Sequence, residues 1–214
     1  MYEYIFFDLD GTLTDPGEGI TNSVSYALKR FGIEPPERKA LYPFIGPPLK
    51  DSFAKYYGMS EDDCTLAVKY YREYYADKGI FENSLYEGIH GLLSELQERG
   101  KHIILATSKP DVFAEKILVH FGLIEFFDFV AGASMNETRT KKDEVIAHAL
   151  EKCDLAHKTK QILMVGDRKH DIIGAAVHGI DGLGVTFGYG SQDELTKAGA
   201  KYIAHTPQEI LKFI

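Results

Sequence analysis

The sequence predicts an α/β protein with a three-layer, Rossmann-like parallel sheet core and an inserted all-α helical unit. Three observations predict it. From about residue 88 onward, short apolar runs alternate with helix-like stretches, as βαβ units and a parallel sheet require. Residues 16–86 show no such alternation and contain helix-like segments only. The first apolar run, Tyr4-Ile5-Phe6-Phe7, ends in Asp8-Leu9-Asp10-Gly11-Thr12-Leu13, which places two carboxylates at the mouth of a buried strand.

In chain order, residues 4–7 are the first strand. Helix-like stretches follow over 20–31, 49–57 and 61–77, broken by Gly32, Pro35-Pro36, Pro43, Gly46-Pro47-Pro48, Gly58 and Gly79, with no strand among them. The tyrosines at 70, 71, 74 and 75 recur at helical spacing, near Tyr56 and Tyr57, and are expected to pack the core of this helical unit. Helix 89–98 opens the second part, followed by strand 102–106, helix 112–120 and strand 126–131. Helix 143–152, strand 161–165, helix 171–178 and strand 182–185 continue the alternation. Ser191 with Glu194, and Thr206-Pro207 with Glu209, read as capping boxes opening two last helices around a short strand at 202–203. The chain therefore divides into a discontinuous core, 1–15 and 87–214, and a helical insert, 16–86.

With 44% hydrophobic and 26% charged residues, the 214-residue chain can bury a sizeable core in one or two domains. A formal charge of −8 argues against a nucleic-acid or anionic-membrane partner, either of which needs a basic face. Cys64 and Cys153 match neither a CxxC pair nor a disulfide framework, which fits a reducing compartment. No cationic, apolar leader and no membrane-length apolar stretch is present, so a cytoplasmic location is expected.

In an open parallel sheet, ligands bind beyond the carboxyl ends of the strands, near a switch in strand order. The residues there are Asp8 and Asp10, then Thr107-Ser108-Lys109, then Gly166-Asp167 through Asp171. Carboxylates two residues apart repel each other and need a cation, and hard oxygen ligands suit Mg²⁺. A phosphate ester held between that metal and a lysine, Lys142, would be neutralised on both sides. Asp8 would then attack phosphorus to form an aspartyl-phosphate, and Asp10 would protonate the leaving alkoxide and later deprotonate water. Lys142 is preferred to Lys141 because Val145 and Ile146, three and four residues on, mark the buried face of the helix. Ser108 reads as a cap of the helix that begins near Pro110. His170, a lone histidine in a polar loop, reads as a surface group. Gly182-x-Gly184 and Gly188-Tyr189-Gly190 lack dinucleotide-site spacing and are expected to let their loop pass close to the site.

On these residues the chain resembles a haloacid dehalogenase superfamily phosphatase with a helical cap inserted after the first motif, over essentially its whole length. Motif one matches Asp8-Leu9-Asp10-Gly11-Thr12, motif two Thr107-Ser108, motif three a lysine near 142, and motif four Gly166-Asp167 through Asp171. Asp143 stands where many relatives carry a proline after the motif-three lysine, which leaves the register between Lys141 and Lys142 open. The resemblance implies Asp8 as nucleophile, Asp10 as acid/base whose backbone carbonyl also binds metal, and Thr107, Ser108 and Lys142 as phosphate-binding residues. It also implies Asp167 as a direct ligand of Mg²⁺, and Asp171 as a ligand directly or through water. The acid at Asp10 implies phosphoryl transfer from an oxygen ester, since dehalogenases and phosphonatases of the superfamily lack it. Gly184-Val-Thr-Phe-Gly188-Tyr-Gly190 is similar to phosphoglycolate-phosphatase-like members, and Gly46-Pro47-Pro48-Leu49-Lys50 to the cap loop that helps set specificity. Lys50 and Arg72 are then candidates to bind a second anionic group. The expected substrate is a small phosphorylated metabolite. A 5'-nucleotidase or other sugar or nucleotide phosphatase, a phosphomutase and a non-catalytic phosphoacceptor switch are the alternatives, and the oligomeric state is open between monomer and homodimer.

Overall fold

The computed structural model describes residues 2–136 and 138–214. They fall into two compact units, Met1–Thr14 with Leu85–Ile214, and Asp15–Ser84.

The larger unit is an α/β sandwich. Its strands are β1 (Tyr4–Phe7), β4 (His102–Pro110), β5 (Phe129–Ala133), β6 (Ile162–Gly166), β7 (Asp181–Val185) and β8 (Tyr202–Ala204). They form one parallel sheet in the order β5-β4-β1-β6-β7-β8. Counted along the chain, this is the doubly wound order 3-2-1-4-5-6, whose switch point lies between β1 and β6. The helices are α4 (Ile89–Glu98), α5 (Asp111–His120), α6 (Lys142–Lys152), α7 (Lys169–Val177), α8 (Gln192–Lys197) and α9 (Pro207–Ile210).

β1 is apolar on both faces because both are covered, the usual condition of a parallel sheet. Phe6 joins Ile104, Met164 and the α6 residues Val145, Ile146 and Ala149 in one cluster, while Ile5 and Phe7 are equally buried. Each such side chain contributes about 1.5–3 kcal/mol through its removal from water. The Ser191 and Thr206 hydroxyls accept the amide protons of Glu194 at 3.1 Å and Glu209 at 3.3 Å, so α8 and α9 open with side-chain caps, but the boxes are not closed: the Glu194 carboxylate accepts from Arg168 and that of Glu209 from His205 N–H.

The smaller unit contains α1 (Gly17–Arg30), α2 (Leu49–Tyr57) and α3 (Glu61–Tyr74), with a 3₁₀ segment at Arg38–Phe44. α2 ends at Gly58, whose φ of 63° suits a left-handed helix terminus. The expected helix to residue 77 instead ends at Tyr74 and continues as a π-helical turn, Tyr75–Gly79. Tyr71 and Tyr75 stack at 5.4 Å, and Phe44 meets Phe53 edge-on at 5.0 Å, so aromatic rings fill this unit's core. Two further strands, β2 (Thr14–Asp15) and β3 (Ser84–Leu85), form a separate two-stranded sheet where the chain passes between units. β3 corrects the expectation of no strand within residues 16–86, since two residues are too few to show alternation. β5 likewise begins at Phe129 rather than 126, because Ile124–Phe126 forms a 3₁₀ turn. No helix of the described residues is long and apolar enough to cross a membrane.

Candidate active site

Asp8 directly follows β1, and its backbone N–H still donates to Val165 of β6 at 2.9 Å. Its carboxylate is therefore carried to the carboxyl edge of the sheet at the switch point. Beyond it the chain turns sharply: Thr12, Leu13 and Thr14 all donate backbone N–H groups to the Leu9 carbonyl. Gly11 sits in that turn at φ 82°, where a β-carbon would lie 2.2 Å from Asp167 Oδ2. Asp167 follows β6, and Asp171 lies in the first helical turns of α7.

These placements bring Asp8, Asp167 and Asp171 together, with one carboxylate oxygen of each within 4.8 Å of the others, and all three buried. The Lys142 ammonium lies 2.8 Å from Asp8 Oδ1 and 2.8 Å from Asp171 Oδ1, and donates to the Ala106 carbonyl at 2.9 Å. Lys142 opens α6, an end where the helix dipole disfavours a cation, so its position depends on these oxygens. The start of α6 is fastened by Glu144, whose carboxylate accepts the N–H groups of Thr140 at 2.8 Å and Lys141 at 3.0 Å. Those two bonds lower its pKa. Of the adjacent lysines, Lys142 is 5% exposed and faces the acids, whereas Lys141 faces solvent.

Backbone donors fix the acids further. Arg168 N–H reaches Asp171 Oδ2 at 3.0 Å, and Tyr189 N–H reaches Asp167 Oδ2 at 2.7 Å. Glu194 on α8 holds the connecting loop through Arg168 Nε at 3.0 Å and Lys169 N–H at 2.9 Å. A β-carbon at Gly188 would lie 2.1 Å from the Gly11 carbonyl, and one at Gly190 1.8 Å from the Asp167 carbonyl. The loop after β7 thus packs directly on Asp167.

Burial pushes the Asp167 carboxyl well above the usual carboxylate range, and the Asp171 and Asp8 charges add to that. Asp171 is pushed up to about 6, mainly by burial, with Lys142 opposing and Asp8 reinforcing. For Lys142 burial works against the charge, but the Asp171 and Asp8 carboxylates outweigh it and hold the ammonium above its ordinary value. One ammonium, paired with Asp8 and Asp171, stands against three acids and leaves excess negative charge, and among the described residues Asp167 Oδ1 is buried without a hydrogen-bond partner. Hard oxygen donors in this number and charge fit a divalent cation such as Mg²⁺.

Asp10 is handled separately. Its Oδ2 pairs with Lys109 Nζ at 2.5 Å, both residues are buried, and its Oδ1 has no hydrogen-bond partner among the described residues. Burial raises its pKa, with the charge and hydrogen bond of Lys109 opposing. Lys109 was given no role by sequence reasoning. It lies where the β4–β5 ladder breaks: Ala106 pairs with Ala131 and Pro110 with Ala133, so four residues on β4 advance against two on β5. Bulges of this kind re-aim side chains. No local signal marks Lys109, because the apolar run stops at Ala106, whereas the strand itself runs on through Thr107-Ser108-Lys109 and buries the first and third of these residues. Thr107 is buried, and its hydroxyl accepts Lys109 N–H at 3.2 Å. Ser108 is half-buried and does not cap α5: Pro110 holds the cap position with no side-chain bond, because the strand persists to that residue. His170 is half-buried on α7 and is not part of the carboxylate cluster. Lys50 on α2 and Arg72 on α3 lie half-buried in the helical unit.

Buried acids gathered about a shared ammonium thus lie at the switch point of a doubly wound sheet, the place where α/β enzymes of this topology bind their ligands. Residues 5–185 match the family model of haloacid dehalogenase-like hydrolases, and the chain belongs to that family. It is similar to a 5'-nucleotidase of Pseudomonas aeruginosa, 47% identical over 91% of this chain and 87% of that protein. It is also similar to the tyrosine-protein kinase PtkA of Mycobacterium tuberculosis, 40% identical over 95% and 68%. Its similarity to a phosphoglycolate phosphatase of Vibrio parahaemolyticus is 27% identity over 98% and 95%. Among solved structures, a crystal structure described as a predicted phosphatase from Clostridium acetobutylicum superposes with a TM-score of 0.96 at 46% identity, covering 100% of this chain and 98% of that one. The chain is a phosphomonoester hydrolase.

Proposed function

We propose that this phosphatase cleaves small-molecule phosphomonoesters through an aspartyl-phosphate on Asp8. The observation that carries the reading is the Asp8–Lys142–Asp171 arrangement beside Asp167, with Asp10 held apart on its own lysine. Asp8, Asp167 and Asp171, with the backbone carbonyl of Asp10, would hold Mg²⁺. The bound ion supplies positive charge against the phosphoryl oxygens. Lys142, the Thr107 hydroxyl and Ser108 bind and orient the phosphoryl group. A carboxylate oxygen of Asp8 attacks phosphorus as the ester P–O bond breaks, and the Asp10 carboxyl gives its proton to the leaving oxygen. The Asp10 carboxylate then takes a proton from water, whose oxygen attacks phosphorus. The P–O bond to Asp8 breaks, inorganic phosphate leaves, and both acids return to their starting states.

The helical unit serves in this reading as a cap that selects substrate, with Lys50 and Arg72 receiving a second anionic group. Nucleoside 5'-monophosphates are the first substrate class to test, because the 5'-nucleotidase relative is 47% identical whereas the phosphoglycolate phosphatase is 27% identical. Phosphate release from a panel of both classes, with and without Mg²⁺, tests the assignment, using Asp8→Asn as the control. Mg²⁺-dependent release by the wild type and none by the variant is expected; turnover retained by Asp8→Asn would sink the covalent mechanism.

A further inference from the structure

We propose that Lys109 is a positioning residue for the leaving-group proton: it holds Oδ2 of Asp10 so that Oδ1 stays aimed for exchange with the ester oxygen. The proposal rests on the acid/base reading of Asp10. A carboxylate retained only for packing has both oxygens satisfied, because a buried orphan acceptor is costly. Asp10 has one oxygen bound to the Lys109 ammonium and one that is buried with no hydrogen-bond partner among the described residues. Among the described residues, Lys142 lies against Asp8 and Asp171, while the ion pair of Lys109 is made with Asp10.

The aim of Lys109 is fixed by the strand that carries it. The four-against-two mismatch between β4 and β5 spans Thr107, Ser108 and Lys109, and Lys109 N–H is tied to the Thr107 hydroxyl. The same bulge therefore presents a phosphate-binding hydroxyl and, two residues on, the cation that orients the acid. In the first half-reaction the proton on Asp10 Oδ1 passes to the ester oxygen as its bond to phosphorus breaks. In the second, Oδ1 takes a proton from the attacking water. Lys109 keeps its own protons throughout.

The test is a leaving-group comparison in the full-length enzyme with saturating Mg²⁺, reading kcat/KM for p-nitrophenyl phosphate and phenyl phosphate. These esters are close in size, but phenolate is the more basic leaving group and depends more on protonation. Asp10→Asn is the reference. In Lys109→Met, kcat/KM for phenyl phosphate is expected to fall about tenfold or more beyond the fall for the nitrophenyl ester, a fraction of the effect of losing the acid itself. Lys109→Arg should restore much of that difference. Equal losses for both esters in Lys109→Met, with Asp10→Asn still discriminating, would overturn the role of Lys109 alone. Equal losses for both esters in Asp10→Asn would instead overturn the acid/base reading of Asp10, and the inference with it. Should circular dichroism show Lys109→Met misfolded, Lys109→Gln carries the same comparison.

Discussion

The two buried lysines of the α/β unit meet their acids in different ways. Lys142 is divided between Asp8 and Asp171, and a third acid, Asp167, stands within the same group. Lys109 has its ion pair with Asp10. The first cluster sets three acids against one ammonium and the second pairs one acid with one, although Asp8 and Asp10 stand only two residues apart after β1. The difference teaches that carboxylates two residues apart can be set in separate electrostatic surroundings by the lysines facing them, which is the basis for proposing separate tasks for Asp8 and Asp10.

The comparison can be broken at four points. Asp8→Asn has the largest expected effect, abolition of phosphate release under saturating Mg²⁺, because no other described carboxylate in the cluster is read as the nucleophile. Asp10→Asn should lower kcat by on the order of 10²–10⁴-fold, the usual contribution of acid/base assistance. A near-normal rate in that variant removes Asp10 from the role.

Lys142→Met sharpens the contrast in stability. Removing one partner of a buried ion pair costs about 3–5 kcal/mol, and here it strands more than one acid. Urea unfolding of metal-free Lys142→Met should show a loss of this order, with a large part recovered on adding Mg²⁺. Lys109→Met should show no comparable recovery, because its acid lies outside the three-carboxylate group. Equal recovery in both variants would mean that the two clusters are not separate.

The smallest effect concerns pH. Asp171 has a folded-state pKa of about 6 against 3.8 for an ordinary aspartate, so between those values the folded state binds more protons than the unfolded one. Its contribution to metal-free stability is therefore present below about pH 4 and lost as pH rises through 6, by an amount of about 3 kcal/mol. The wild type should lose urea resistance relative to Asp171→Asn over that window. A difference between the two that stays constant from pH 4 to pH 7 contradicts the assignment.

Much of this arrangement was legible in the sequence because it follows from local rules. Apolar β1 followed by two acids, the α2 and α4 boundaries, and the Ser191 and Thr206 caps all read directly from residue pattern. The spacing from Lys142 to Val145 and Ile146 put that lysine on the inner face of α6, where it is buried. Lys109 was not legible as a partner of Asp10, because the apolar run of β4 stops at Ala106 and Thr-Ser-Lys-Pro reads as a polar turn. Only the mismatch with β5, a long-range pairing, turns Lys109 inward. The end of α3 was hidden for a related reason: a π turn keeps the tyrosine spacing nearly helical after the α-helix has ended.

The glycines around Asp167 carry a consequence for mutational tolerance. At Gly11, Gly188 and Gly190 a single methyl group would fall inside the contact radius of a neighbouring carboxylate or carbonyl. In a library of active variants these three positions should stay invariant, even to alanine. They act as a gauge of the distance between the loops after β1, β6 and β7, which is set by bare backbone touching backbone and acid. Loop grafting onto this scaffold would therefore have to carry all three glycines together, since enlarging any one of them pushes apart the walls against which the acids are held.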